Sequence, residues 1–374
     1  MTSKIEEVAQ PDICVIGGGP AGLTASIALR LAGYSVVLLD ARTPPIDKAC
    51  GEGLMPDTLD ALDALGVHIP VREGMPFRGV RFVRDRTAAQ AEFGSRQALG
   101  VRRTVLHRVL VERASQLRVD LQWGSKGVRY TNRGIAAGDA LIEPRLLTVG
   151  ADGQHSAVRQ AAGLHQTTRQ SLRYGFRRHY SLAPWSPYVE VHWGAGCQIY
   201  VTPVSPREIG VALLTSDPRQ RLNNALTLFP NLEARLKVAV PVSSEMGAIT
   251  TMRTLQQVYR NTVALVGDAS GSVDAITGEG IGLAVRQAAA LAAALQSGHL
   301  ESYERAHRRI QRIPRLMADS LLLLSRYGFL QKPAIAGLGK FPGLFDCLLA
   351  MHIGGHAQTF TADTGSVSVT RVQT

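Results

Sequence analysis

The stretch DICVIGGGPAG, residues 12–22, decides the fold of this chain. Its first five residues are typical of a short buried strand, and the glycine turn that follows opens the helical pattern LTASIALRLA, residues 23–32. A second apolar run, residues 35–39, ends in Asp40. Strand, glycine turn, helix, strand and terminal acid in this order predict a parallel βαβ unit that binds a dinucleotide.

Each glycine of the turn has a distinct predicted task. Gly17 permits the tight turn, Gly19 lets the backbone approach a pyrophosphate, and Gly22 lets helix and strand pack closely. The phosphates would lie at the helix N-terminus, where unpaired N–H groups and the helix dipole favour anions. Asp40 can accept hydrogen bonds from both ribose hydroxyls, which favours an adenosine ribose without a 2′-phosphate.

Size and composition narrow the class of protein. A chain of 374 residues with 45% apolar residues is an ordinary globular protein, long enough for two or three domains. Its four cysteines lack the spacing of a disulfide framework or a metal site. The polar N-terminus carries no apolar signal region, so we expect a cytoplasmic protein. No pattern in the sequence indicates an oligomeric state.

The formal net charge is +11. The arginines are dispersed and no nucleic-acid-binding motif is present, so no nucleic-acid partner is expected. Only Arg305–Arg315 is dense in cations, and it is either a solvated helix face or a contact for an anionic surface or cofactor phosphate.

Two later segments repeat the pattern of a strand that ends beside glycine and aspartate. Leu146–Arg159 reads LLTVGADGQHSAVR, and Asn261–Leu283 reads NTVALVGDASGSVDAITGEGIGL and opens a long helix at Gly280. Both place an aspartate at the carboxyl end of a strand, where open α/β sheets hold their ligands.

With these three segments, spread over roughly residues 12–296, the chain resembles the flavin-dependent oxidoreductases of the para-hydroxybenzoate hydroxylase superfamily, which includes geranylgeranyl reductases. The resemblance implies a mixed α/β fold: a Rossmann-type FAD-binding domain, an antiparallel β-sheet substrate domain and a helical C-terminal region. It also implies FAD as the cofactor. The residues expected to bind FAD are Gly17, Gly19, Pro20, Ala21, Gly22, Asp40, Ala41, Arg42, Cys50, Gly51, Arg103, Asp152, Gly267, Asp268, Gly278, Gly280 and Ile281.

A neighbouring arginine could take the role predicted for Arg103. In the family an Arg-x-x-Leu on a helix reaches FAD, but Arg102 directly precedes Arg103 here. The sequence holds a single GxGxxG turn, so it offers no second unit for a nicotinamide. The resemblance therefore implies that NAD(P)H is a transient reductant bound in the substrate groove, or that a separate reductase supplies reduced flavin.

The loop KACGEGLMP, residues 48–56, is expected close to the flavin ring, where its glycines keep the backbone free of Cβ atoms. Its Cys-Gly-x-Gly pattern looks most like the geranylgeranyl-reductase branch. Cys50 and Glu52 are therefore candidates for proton delivery or substrate contact, and Cys50 is alternatively a small buried residue beside the cofactor. Ala275 stands where the family usually has proline.

Alternating runs within residues 175–214 predict an antiparallel sheet over the flavin, to which residues 71–97 add strands. One strand face carries Tyr188, Glu190 and His192, and another carries Gln198, Tyr200 and Thr202. Either set could line the pocket or face solvent. Tyr200 is our third candidate catalytic residue.

The resulting domain prediction is discontinuous. Residues 1–70, 98–165 and 256–298 form the FAD-binding domain, residues 71–97 and 166–255 the substrate-binding sheet domain, and residues 299–374 the C-terminal helical region. Residues 328–343 are apolar but interrupted by glycine and proline. They are candidates for core packing, a cap on the substrate cavity or a peripheral membrane contact.

Two enzyme functions remain open at this point. The first is an NAD(P)H-driven monooxygenase that hydroxylates a small hydrophobic or aromatic substrate with O₂ through a flavin C4a-hydroperoxide. The second is an ene-reductase that reduces a C=C bond of a lipid or prenyl-like substrate. We favour oxygenation, because the prenyl-reductase pattern Tyr-x-Trp-x-Phe-Pro is missing. The third hypothesis is a protein that binds flavin but catalyses no reaction.

Overall fold

The computed structural model describes residues 10–131, 134–137 and 140–354. It confirms the mixed α/β fold class, with a parallel sheet, a large sheet above it and a helical C-terminal region. The predicted domain boundaries stay a prediction.

The described strands are named in chain order. They are β1 (Ile13–Ile16), β2 (Val36–Asp40), β3 (Gly53–Leu54), β4 (Met75–Phe77), β5 (Gly79–Arg84), β6 (Thr87–Glu92), β7 (Ala98–Gly100), β8 (Asp120–Trp123), β9 (Arg129–Thr131), β10 (Gly134–Ala137), β11 (Ala140–Ile142), β12 (Leu147–Gly150), β13 (Thr167–Ser181), β14 (Tyr188–Trp193), β15 (Cys197–Ser205), β16 (Glu208–Thr215), β17 (Val240–Pro241), β18 (Met246–Leu255), β19 (Tyr259–Arg260) and β20 (Val263–Leu265).

The described α-helices are named in the same way. They are α1 (Pro20–Leu31), α2 (Pro56–Asp63), α3 (Arg103–Gln116), α4 (Ala157–Ala161), α5 (Leu222–Leu226), α6 (Pro230–Leu236), α7 (Gly280–Gln296), α8 (Leu300–Arg326), α9 (Gly328–Lys340) and α10 (Pro342–Gly354). Short 3₁₀ turns lie at Val71–Glu73, Gly267–Ser270 and Ala275–Thr277.

The first sheet is the predicted dinucleotide-binding unit. Its strand order is β19-β20-β12-β1-β2-β8, and all neighbours are parallel except the edge pair β19–β20. The strands β1 and β12 are buried along their whole length, which explains their continuous apolar sequence. The carboxyl ends of β1, β12 and β20 lead directly into the three glycine-containing motifs, so these motifs meet at one edge of the sheet.

The second sheet, which we call the roof sheet, lies over that edge. Its strands follow the order β17-β13-β16-β15-β14-β5-β6, and β18 pairs with β13. The strands predicted between residues 71 and 97 divide between two sheets: β5 and β6 join the roof sheet, whereas β4 pairs with β7 in a small sheet that also contains β3.

Successive side chains of the roof strands point to opposite faces of the sheet, and both faces are buried. On β15 and β16, Ile199, Val201 and Val211 pack with Leu226 and Leu232 of α5 and α6 in one apolar cluster. The opposite face looks toward the parallel sheet, so the polar residues of that face are buried too. This face builds one wall of the candidate site.

The C-terminal region is helical, as predicted. The pattern over residues 300–327 becomes α8, and the glycine- and proline-interrupted stretch also forms a helix, α9. The residues of α9 form a helix despite their glycines and proline because one side of the helix is buried. Gln331 and Ile335 are both 0% exposed. The Gln331 side chain also donates hydrogen bonds to the carbonyls of Gly194 and Leu324.

Two glycines of the first motif, Gly19 and Gly22, provide a test of this packing. A Cβ atom on Gly22 would lie 1.7 Å from the Gly17 carbonyl oxygen, whereas a Cβ on Gly19 would meet nothing within 4 Å. We expect Gly22→Ala to lower the free energy of unfolding by about 1–3 kcal/mol, and Gly19→Ala by a few tenths. Urea denaturation of FAD-stripped protein measures both. Equal losses would contradict the packing described here.

Candidate functional site

A cavity of about 1070 Å³ lies between the edge of the parallel sheet and the roof sheet. This volume is at the upper end for small-molecule sites in proteins. Sixteen of the seventeen residues predicted to bind FAD line it: Gly17, Gly19, Pro20, Ala21, Asp40, Ala41, Arg42, Cys50, Gly51, Arg103, Asp152, Gly267, Asp268, Gly278, Gly280 and Ile281. The remaining one, Gly22, packs behind the wall against Gly17.

The glycine turn after β1 is held by a close contact at Gly17 that leaves no room for a side chain there. Gly17 has a φ of +113°, and a Cβ there would lie 2.4 Å from the Ala151 carbonyl oxygen. Helix α1 then begins at Pro20 with no acidic residue in its first turn. Its unpaired N–H groups therefore face the cavity without an internal negative partner, as an anion site requires.

Asp40, at the end of β2, is fixed by backbone hydrogen bonds. Its Oδ2 accepts from the Gly18 N–H at 2.6 Å, and its Oδ1 accepts from the Arg42 N–H at 2.8 Å. On the other side of the turn, His107 Nε2 lies 2.9 Å from the Gly18 carbonyl oxygen. Burial lowers the pKa of His107, so its neutral ring donates to this carbonyl. The carboxylate and the glycine turn thus hold each other in place.

The second and third motifs are tied together by Arg159, which is 3% exposed. Its guanidinium donates to the Ala269 carbonyl at 3.0 Å and to the Gln154 carbonyl at 2.7 Å. Asp152 accepts from the backbone N–H groups of Ala157 and Val158 and so begins α4. Arg159 lies within the second motif, but its position in the sequence alone does not indicate this role.

Asp268 lies in the 3₁₀ turn after β20, and its carboxylate is 3.5 Å from Lys48 Nζ. Behind this turn, Gln287 of α7 accepts from the Gly267 N–H at 2.8 Å, and His307 of α8 contacts both Gln287 and Ser270. Burial lowers the pKa of His307 to about 3, so the ring is neutral and serves as a hydrogen-bonding support.

Helix α7 presents a second N-terminus to the cavity. It has no acidic residue in its first turn, Gly278 before it is left-handed with φ +71°, and a Cβ on Gly280 would meet nothing within 4 Å. Glu279, between these glycines, points away into the protein, where Arg286 Nη2 is 3.8 Å and His352 Nε2 is 3.7 Å from its Oε1. Burial raises the pKa of Glu279 to about 8.

The loop around Cys50 is clamped through Glu52. Glu52 is 3% exposed and has a φ of +60°, a left-handed conformation that is uncommon outside glycine. Its Oε1 accepts from the Arg103 N–H at 2.9 Å, and its Oε2 lies 2.6 Å from His179 Nε2. The Glu52 N–H in turn donates to Cys50 Sγ at 3.4 Å. Both carboxylate oxygens are therefore engaged by the protein.

Arg177, on the same roof strand as His179, determines which ring nitrogen of His179 carries the proton. Arg177 Nη1 lies 3.0 Å from His179 Nδ1, and a guanidinium offers only donors, so Nδ1 accepts. This network assigns the proton to Nε2, which donates to Glu52. Arg177 also pairs with Asp47 at 2.6 Å. Glu52 acts here as the carboxylate that holds the loop against the roof sheet, and its predicted role in proton delivery stays a prediction.

Of the two strand faces considered for the pocket, the one with Gln198, Tyr200 and Thr202 lies toward the cavity. Tyr200 lines the cavity, its hydroxyl donates to the Ile276 carbonyl at 2.8 Å, and burial raises the pKa of its phenol. Thr202 donates to the Gly51 carbonyl at 2.8 Å. The catalytic role predicted for Tyr200 stays a prediction.

The other face lies on the opposite side of the roof sheet. There Glu190 Oε2 accepts a hydrogen bond from Trp185 Nε1 and contacts His192 Nε2.

The two neighbouring arginines, Arg102 and Arg103, have different surroundings in the structure. Arg102 forms a two-point ion pair with Glu208 at 3.1 and 2.7 Å, and therefore serves the contact between α3 and the roof sheet. Arg103 lines the cavity, and its buried Nε has no hydrogen-bond partner among the described residues. This favours Arg103 as the arginine that meets a ligand.

The donor and acceptor set fits FAD. Two helices with no acid in their first turns begin at one cavity, as phosphates and an electron-rich ring require. Gly19, Gly51, Gly153 and Gly280 line the cavity with open space where a Cβ would be. A bound FAD would be held by the residues around Gly19, Asp40, Arg103 and Asp268, with Cys50 and Gly280 toward the flavin end.

The Glu52 clamp yields a direct test. Glu52 is surrounded by donors, so in Glu52→Gln the amide NH₂ must face the Arg103 N–H or the His179 Nε2–H. We expect the free energy of unfolding to fall by about 1–3 kcal/mol. The control Glu112→Gln removes an exposed pair with Arg108 and should change it by less than about 0.5 kcal/mol. Equal effects in urea denaturation would show that the clamp does not stabilise the fold.

Comparison with known proteins agrees with FAD as the ligand of this cavity. The sequence is 26% identical to a menaquinone reductase from Mycolicibacterium smegmatis, over 79% of this chain and 78% of that protein. It is 27% identical to 6-methylpretetramide 4-monooxygenase from Streptomyces rimosus, over 75% of this chain and 74% of that protein. A match to dialkyldecalin synthase from Streptomyces rugosporus, at 24% identity, covers 74% of this chain but only 63% of that relative.

Among solved structures, 2-methyl-3-hydroxypyridine-5-carboxylic acid oxygenase superposes with a TM-score of 0.69 at 25% identity, over 92% of this chain and 96% of that one. Residues 10–306 match the protein family described as FAD binding domain. This match covers most of the chain, and it includes all three glycine motifs that line the cavity. The chain therefore belongs to the FAD-binding-domain family of flavin-dependent oxidoreductases, within the para-hydroxybenzoate hydroxylase superfamily.

Proposed function

We propose that this FAD-dependent oxidoreductase is a monooxygenase that hydroxylates a small hydrophobic molecule, with NAD(P)H as the reductant. The observation that carries the proposal is the apolar wall that the roof sheet adds to the cavity. Arg177 and Thr250 are the polar exceptions among the residues of three roof strands that line the cavity, and the others are small or apolar: Gly175, Phe176, Ala212, Leu213, Leu214, Met246, Gly247, Ala248 and Ile249. Such a wall favours an apolar substrate and keeps water away from the reacting atoms.

The proposed reaction is balanced with one oxygen molecule per turnover. Substrate C–H, O₂, NAD(P)H and a proton give substrate C–OH, water and NAD(P)⁺. When bound, FAD supplies the electron transfer and the activation of oxygen. The chain's own residues orient the substrate between the roof sheet and the Cys50 loop, and exclude solvent from the reaction.

Two kinds of observation support this choice over other flavin chemistry. Two of the similar proteins above are named for a monooxygenase and an oxygenase reaction. In addition, the acidic and imidazole groups that join the Cys50 loop to the roof sheet, Glu52 and His179, are already bonded to each other. Oxygen transfer to an electron-rich carbon depends mainly on orientation and on a dry site, which this wall offers.

A second candidate is an ene-reductase, and one observation favours it. The Cys50 thiol lines the cavity, and its sulfur accepts the Glu52 N–H, which leaves its own proton available for a substrate carbon. Reduction of a C=C bond needs such a donor opposite the hydride. A relative named menaquinone reductase is consistent with this candidate.

Labelled oxygen separates the two reactions. Purified holoprotein would be given NADPH or NADH with two probe substrates, a naphthoquinone carrying an isoprenoid chain and a polycyclic phenol, under ¹⁸O₂ and under argon. The proposal predicts a product with one ¹⁸O atom and no product under argon. A product that is two hydrogens heavier than its substrate and forms equally under argon would overturn it.

Substitution of Cys50 gives an independent prediction. If the protein is a monooxygenase, Cys50→Ala should keep turnover within about three-fold, because no step needs the thiol proton; a reductase that uses it should lose about 10²–10⁴-fold. Cys197→Ala is the matched control, since Cys197 is 0% exposed and lies in the cluster under α5 and α6. Steady-state turnover with the flavin content of each variant measured decides the outcome.

A further inference from the structure

The helices α9 and α10 expose large apolar side chains. The exposed fractions are 76% for Phe329, 59% for Phe341, 54% for Leu344 and 45% for Met351. We call these four residues, together with Lys332 and Lys340, the C-terminal surface. A concentration of exposed apolar side chains over two short helices marks an interaction site, because isolated ones are the norm elsewhere on proteins.

Both helices rest on the same strand, so their outward faces point the same way. Gly339 of α9 lies so close to β6 that a Cβ would be 3.0 Å from the Ala88 carbonyl oxygen. Asp346 of α10 accepts from the Glu92 N–H of β6 at 3.0 Å. Ile335 and Phe345 are buried on the inner sides of the two helices. The exposed helical residues Phe329, Leu344 and Met351 therefore lie on the side away from the roof sheet, and Phe341 lies between the two helices.

The charge of this region is positive. Residues 320–354 contain three cations, Arg326, Lys332 and Lys340, and one acid, Asp346, which is already bonded to β6. Lys340 Nζ lies 5.8 Å from the Phe341 ring centroid, and the Arg326 guanidinium lies 5.6 Å from that of Tyr327. Aromatic rings beside cations on an amphipathic surface match the headgroup region of an anionic bilayer.

We propose that the C-terminal surface binds the face of an anionic lipid bilayer, with Phe329 and Phe341 in the headgroup layer. The helices lie on the membrane and do not cross it. None of the described helices is long and apolar enough to span a bilayer alone, and α9 and α10, which reach the required apolarity together, are bent by 101°. The proposal rests on this surface and its charge, and holds whichever reaction the cavity performs.

Vesicle flotation of the holoprotein tests the proposal. The probes are vesicles of phosphatidylcholine alone and of phosphatidylcholine mixed with phosphatidylserine, each at low and high salt. The proposal predicts binding to the anionic vesicles that weakens with salt, since the contact combines cations with apolar insertion. No binding of the wild-type holoprotein to the anionic vesicles would overturn it.

Matched variants locate the contact. Phe329→Ser with Phe341→Ser should weaken binding by at least about ten-fold, and Lys332→Gln with Lys340→Gln should weaken it and reduce its salt dependence. Val71→Ser with Val238→Ser is the control, since these residues are 79% and 80% exposed outside the C-terminal surface. Flavin absorbance confirms that each variant folds. Equal binding by the phenylalanine double variant and the control would place the contact elsewhere.

The same experiments also test whether something other than a membrane covers the C-terminal surface. If a second copy of the chain covers the surface, sedimentation will show a dimer that Phe329→Ser with Phe341→Ser dissociates, and vesicles will not bind. If the segment after residue 354 covers it, only a variant that lacks residues 355–374 will bind vesicles. Either result overturns the proposal for the full chain.

Discussion

The architecture depends on a contact at which three chain segments meet without side chains. The Gly17 carbonyl lies against Gly22 at the start of α1, and Gly17 itself lies against the Ala151 carbonyl after β12, at distances that admit no Cβ atom. This contact fixes the N-terminus of α1 at the edge of the parallel sheet and places the Asp152 motif beside it. Arg159 then joins that motif to the turn at Asp268. The position of the cavity follows from these constraints.

The roof sheet completes the site from the other side. It reaches the dinucleotide-binding unit through Glu52, whose carboxylate joins the start of α3 to His179 of β13, and through Thr202 and Tyr200, which hold the loops at Gly51 and Ile276. The flavin end of the cavity is thus bounded by loops whose positions are set by hydrogen bonds across both layers.

The sequence predicted the parts of the site that depend on backbone geometry. The glycine turns, Asp40 and Asp268 were identified because their chemistry is local and their spacing is regular. The roles of Arg173, Arg177 and His179 were not predicted. They alternate on β13 with aromatic residues and with Arg178, and alternation alone does not tell which face meets solvent. Here α5 and α6 cover the apolar face, so the two arginines and His179 are buried toward the cavity, where Arg173 pairs with Asp274.

Titration of FAD-stripped protein with FAD, compared between the wild type and Gly19→Val, tests the central claim most directly. Gly19 has extended backbone angles that valine adopts, it lines the cavity, and a Cβ there would meet nothing within 4 Å. The account predicts one equivalent of FAD bound by the wild type. It predicts at least about 100-fold weaker binding by the variant, with the free energy of unfolding of the stripped protein lowered by less than about 1 kcal/mol. Equal FAD affinity of the two proteins would contradict it.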